Sequence, residues 1–195
     1  MTRTLNDDTV ASDPVGISVS HRLLAMLEPE LLDPPLLDRL IPSRIQRRQF
    51  WMTRIPEQLM HGDSRAALVV QRQPLLVAAY TDELDCVVQL RFPESFQPPM
   101  ALEVGTRLLT VNVYADINNG VAPDLTLGER HFRRYGNFTP YIADFLSAST
   151  SAIARRIASI SEDEWERCST LADAWRRKSG GRARDGRPTR SFIPA

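Results

Sequence analysis

Residues 66–92 read AALVVQRQPLLVAAYTDELDCVVQLRF, and the fold class turns on this stretch. It contains three short runs, AALVVQ (66–71), PLLVAAYT (74–81) and DCVVQLRF (85–92), with turn-forming residues between them. Runs of this length, rich in Val, Leu and aromatic side chains, suit a pleated and half-buried surface. In the third run Cys86, Val88, Leu90 and Phe92 alternate with Val87, Gln89 and Arg91. That period of two is the signature of an antiparallel strand with one face in the core. TDELD (81–85) supplies the hairpin turn before it.

Moving outward, TRLLTVNVYAD (106–116) is a fourth strand, reached through the proline-rich connection PESFQPPMALEVG. Asn119-Gly120 predicts a type I′ hairpin, whose two central residues need positive φ, so 106–116 is expected to pair with a short strand near 121–127. GERHFRRYGNF (128–138) has no clean period and reads as an aromatic, basic loop. Thr139-Pro140 then looks like a helix N-cap followed by proline in the first turn. From there Ile142, Phe145, Leu146, Ser149, Ile153, Ile157 and Ile160 follow at three- and four-residue steps as one buried stripe. Ser161 and Glu164 have the spacing of a capping box for a second helix, along which Trp165, Cys168, Ala172 and Trp175 share a face.

On the N-terminal side, Ser20 caps a short helix that stops near Pro29. Asp33 before Pro34 and Pro35 resembles another N-cap, and Ser43 opens a helix that Pro56 is expected to interrupt, because proline removes a donor and clashes with the preceding turn. The expected fold is therefore α+β. An antiparallel sheet of four to five strands (about 66–127) is packed by a C-terminal helical hairpin (about 140–178), with short proline-broken helices on the N-terminal side. A single domain, 18–179, is expected between a disordered tail, 1–17, and a flexible Arg/Gly-rich tail, 180–195.

The chain has 195 residues, 43% of them hydrophobic, and its 24 basic groups balance 24 acidic ones. That balance hides a division. Residues 176–195 hold seven basic residues against Asp185 alone, a net +6, which leaves −6 on the first 175. Arginine outnumbers lysine 23 to one throughout the chain, so the bias is compositional before it is local. Cys86 and Cys168 are too few for a disulfide scaffold and sit in apolar settings, where buried inert thiols are expected. The polar start lacks the basic-then-apolar plan of a secretory signal, and no apolar run approaches the ~20 residues of a membrane span. A cytoplasmic protein without a membrane contact is the expectation.

Chemistry-bearing patterns are sparse. Imidazole could come only from His21, His61 or His131, and no serine stands in a nucleophile elbow. His131 is the strongest catalytic candidate as an acid/base, with Asp124 or Glu129 to orient it and Arg133 or Arg134 to hold an anionic substrate. His61, beside Gly62, reads as a cation at a helix end. No C-x-x-C or H-x-x-x-H pair suggests zinc, and Asp116, Asn118 and Asn119 lack the remaining spacing of a calcium loop, so no metal is expected. No phosphate-binding glycine fingerprint is present and no cofactor is expected. The leading functional expectation is a non-catalytic protein-binding or accessory module, with Arg130, Arg133, Arg134 and Tyr135 as a recognition surface. The enzyme built on His131 is one alternative. Another is a nucleic-acid accessory protein using Arg182, Arg184, Arg187 and Arg190 of the tail, whose affinity would come from counterion release.

Overall fold

In the computed structural model, which describes residues 13–116, 120–130, 135–178 and 182–190, the runs around residue 80 form the strands expected of them. They are β1 (Asp63–Arg72), β2 (Leu75–Thr81), β3 (Cys86–Arg91) and β4 (Arg107–Asp116). β1 and β2 pair antiparallel, as do β2 and β3, and Asp82–Asp85 make the turn, with Asp85 at φ +46°.

The sheet is larger than four to five strands. Three further strands are β5 (Thr126–Leu127), β6 (Tyr135–Ile142) and β7 (Arg184–Asp185), giving the order β5-β3-β2-β1-β4-β6 with β7 on β3. Two pairings differ from expectation. Thr126-Leu127 joins Cys86 and Val87 of β3, not β4. The partner of β4 is β6, in a segment expected to be loop and then helix. Pro140 explains that misreading. A proline lacks the N–H a central strand must donate, but it is tolerated on an edge strand, and β6 pairs on one side only.

Among the described residues there are also five α-helices: α1 (His21–Leu27), α2 (Pro29–Leu32), α3 (Pro42–His61), α4 (Thr150–Ser159) and α5 (Glu162–Arg177). Ser20 caps α1 through Leu23 N. Pro35, not Asp33, precedes a 3-10 turn at Leu36–Arg39, while Asp33 takes the Arg39 guanidinium. Pro56 does not interrupt α3, which runs through it for 20 residues. The lost hydrogen bond is offset next door, where Ile55, Gln58 and Leu59 are all buried and the Gln58 amide donates to Val111 O and Thr139 O at 2.8 and 2.6 Å.

Two consecutive helices stand in the region expected for the helical hairpin, but the first begins at Thr150 and not near 140, and they pack on different strands, α4 on β4 and α5 on β1, β2, β3 and β5. Ser161 caps α5 by accepting from Glu164 N at 3.2 Å. The Glu164 carboxylate reaches instead to Ala66 N at 2.8 Å, an amide of β1 beyond the end of its pairing with β2. Capping thus also fastens the helix to the sheet.

Helices cover one face of the sheet: α5 packs on β1, β2, β3 and β5, while α4 and α3 pack on β4. The opposite face curls on itself. Its residues Val88, Leu90, Leu108 and Phe138 are fully buried, so β3 is enclosed on both faces and is not half exposed. Curling brings the outer strands together, because Arg184 of β7 donates to Phe138 O of β6 at 2.6 Å.

The segments 13–17 and 182–190 take part as well, while 1–12 and 191–195 of the two expected tails lie outside the described residues. Pro14 bridges to Asp63 and Ile17 is buried, so 13–17 are packed on the domain and are not a free tail. Residues 182–190 are packed too: β7 runs parallel to β3, the Gly186 backbone lies against the Phe92 ring, Tyr141 Oη donates to Pro188 O, and Thr189 donates to Glu28.

Candidate functional site

The catalytic set singled out around 124–138 is only partly within the described residues. His131, Arg133 and Arg134 lie outside them. Asp124 is buried with both carboxylate oxygens held by Arg184, at 2.8 and 2.9 Å, and so is committed to the fold. Glu129 and Arg130 are exposed, and the Arg130 amide donates to Asp85 at 2.8 Å. Tyr135 is buried and stacks on Tyr114 at 5.0 Å between ring centroids, so it is an internal residue and not a recognition side chain.

The tail arginines divide in the same way. Arg184 is 4% exposed and donates to Asp124, Phe138 O and Asn137, which corrects its assignment to an anion-binding tail. Arg187 is chelated by Asp185 two residues away. Arg182 and Arg190 remain exposed. His21 and His61 are exposed too, and His61 ends α3, where a cation complements the dipole. Cys86 and Cys168 are buried free thiols, both pushed up by burial and therefore poor nucleophiles. Among the described residues no group of three or more His, Cys, Asp or Glu could hold a metal ion. None of their helices is long and apolar enough to cross a membrane.

Two places in the structure carry features that residue spacing did not reveal. One is a polar cluster on the curled face of β1, β2 and β4. Asp63 accepts from Tyr114 Oη at 2.9 Å and pairs with Arg65 at 3.1 Å, while Thr81 bonds the same phenol at 2.7 Å. Arg65 also holds Asp82 and Asp13, so one guanidinium serves three carboxylates from β1, the β2–β3 turn and the N-terminal segment. Asp63 is 1% exposed and its Oδ1 is buried without a hydrogen-bond partner. Burial outweighs the nearby Arg65 and pushes its carboxyl up to about 7. The two-residue period of β1 places Asp63 and Arg65 on one face, yet their union with Tyr114 depends on the β1–β4 register, which the sequence does not display.

The other is a groove of about 720 Å³ between α3 and the outward face of β4 and β6. The buried side chains of α3 all belong to its C-terminal half, so the N-terminal half is not seated on the sheet in the same way. Arg47, Phe50, Trp51 and Arg54 line one wall, with Val113 and Tyr141 opposite. Arg44 and Arg48 of the same helix are engaged, by Asp38 and by Leu31 O. Arg47 and Arg54 form no ion pair among the described residues. The Arg54 charge is felt across the groove at Tyr141, where it opposes the burial that raises the phenol.

The chain matches no family model, no curated protein and no solved structure.

Proposed function

We propose that the protein is a non-catalytic binding module that docks a partner protein on its N-terminal helical layer. The observation that carries this reading is where the apolar surface lies. Among the described residues, seven of the ten large hydrophobic side chains that stand in solvent fall within residues 26–60. Leu36, Leu37 and Leu40 are 77%, 73% and 78% exposed, on a 3-10 turn and the residue after it. Contiguous apolar exposure of this kind marks interaction surfaces, since single scattered residues need no explanation but a cluster does.

The charges beside the leucines are closed on each other, Arg39 with Asp33 and Arg44 with Asp38. A complementary partner therefore offers an uncharged apolar face and no acidic or basic patch. The engagement of Asp124 by Arg184 and of Arg187 by Asp185 speaks in the same direction, because it withdraws residues from the catalytic and nucleic-acid alternatives.

The test is photocross-linking in cells from a reactive residue placed at position 37, compared with one at position 104, which is also exposed but lies outside this layer. A discrete protein adduct from 37 and none from 104 is expected. The same adducts from both positions would refute the assignment of the leucine face.

A further inference from the structure

The groove beside α3 shares no residue with the leucine face and supports an inference of its own. Its volume of about 720 Å³ falls within the range of small-molecule sites. Arg47, Phe50, Trp51 and Arg54 follow at three-, one- and three-residue steps, so two cations about 10 Å apart along the helix bracket two aromatic rings. Phe50 meets Trp51 edge to face at 5.0 Å and is 56% exposed, a costly disposition for a ring with no occupant against it. Val113 and Tyr141 give the far wall apolar surface. The floor is fixed, because Gln58 is locked to Val111 O and Thr139 O.

We propose that this groove binds a monomeric anionic amphiphile, a molecule with one carboxylate on an apolar body. Arg54 anchors the carboxylate, Arg47 supplies the second cation, and the apolar body lies between Phe50 and Trp51 on one side and Val113 and Tyr141 on the other. A guanidinium matches a carboxylate with two parallel hydrogen bonds, and the water displaced from the rings supplies the rest of the affinity.

Dodecanoate is the probe, titrated below its micelle concentration into the full chain and read by tryptophan fluorescence. The expected result is saturable binding whose signal disappears in Trp51→Phe. Dodecanol should bind at least tenfold more weakly than dodecanoate, and Arg54→Gln should weaken dodecanoate at least tenfold. Both Arg54→Gln and Arg47→Gln replace side chains that hold no ion pair among the described residues, and unchanged thermal unfolding confirms that the variants compare like with like. Equal affinity for dodecanol, full affinity in the Arg47→Gln/Arg54→Gln double variant, or an unchanged signal in Trp51→Phe each overturns the proposal. Absence of saturable binding overturns it as well. Binding to phosphatidylglycerol vesicles without binding of monomeric dodecanoate would overturn it in favour of a membrane surface.

Discussion

Replacing Arg184 by methionine probes whether residues 182–190 are part of the fold or an appendage. The methionine keeps an apolar stem of similar reach and removes the guanidinium fork. That fork makes two charged hydrogen bonds to Asp124, at 2.8 and 2.9 Å, and further bonds to Phe138 O and Asn137 at 2.6 and 3.0 Å. The side chains of Arg184 and Asp124 are 1% and 5% exposed, so water cannot replace the lost partner. Removing one member of such a pair leaves a buried charge uncompensated and costs about 3–5 kcal/mol. With a urea m-value of about 2 kcal/mol/M, the unfolding midpoint should fall by roughly 2 M. The companion variant is Asp124→Leu/Arg184→Met. Exchanging both charges for apolar groups removes the stranded carboxylate, so the double variant should be more stable than Arg184→Met alone by about 2 kcal/mol. The assay is urea unfolding followed by circular dichroism at pH 7. A loss below about 1 kcal/mol in Arg184→Met, or a double variant as unstable as the two single losses added, would refute the claim that this strand closes the sheet.

Other outcomes follow from the same structure. Asp63 holds its proton more tightly in the folded chain than in the unfolded one, with its carboxyl raised from 3.8 to about 7 by burial. Its contribution is therefore fully present below about pH 4 and is lost as pH rises through 7, so the stability difference between Asp63→Asn and the parent should move in favour of the variant across that window; a pH-independent difference would contradict the assignment. Gly62→Ala should cost several kcal/mol, because its Cβ would stand 2.6 Å from Gln58 O and 2.9 Å from Asn112 O, backbone atoms that cannot turn away; a neutral effect on the urea midpoint would count against the packing of α3 on β4. Gln58→Leu strands Val111 O and Thr139 O and should cost about 1–3 kcal/mol in the same assay. Neither Cys86 nor Cys168 should react with a thiol reagent until the chain is unfolded, and rapid labelling of the native protein would show that one of them is accessible.

How far the sequence was legible depends on the range of the interactions involved. Strands 66–71, 74–81, 85–92 and 106–116 were readable because alternation and turn residues act within a few positions, and the observed β1 to β4 start and stop within three residues of those bounds. The Ser161 cap was readable for the same reason. Pro140 misled because one local fact, a missing N–H, suits both a first helical turn and an edge strand, and only the pairing with Asn112 decides between them. Arg184 misled because glycine and arginine around it predict a solvated tail, while its partner Asp124 stands 60 residues away. The groove was equally hidden. Arg44, Arg47, Arg48 and Arg54 look alike in a line of sequence, and they divide only when Asp38 and the carbonyl of Leu31 claim two of them.

Leu36, Leu37 and Leu40 carry the functional account, since the fold leaves them in solvent while it buries Leu31, Ile55 and Leu59 nearby. Exposed positions of this kind change stability by about 0.5 kcal/mol or less when substituted, so Leu36→Asp/Leu40→Asp should fold as the parent does. The most direct measurement is the yield of the protein adduct cross-linked from position 37, compared between the parent and that double variant at equal protein level. The account predicts a discrete adduct in the parent and its loss in the variant; an adduct of equal yield in both would contradict it.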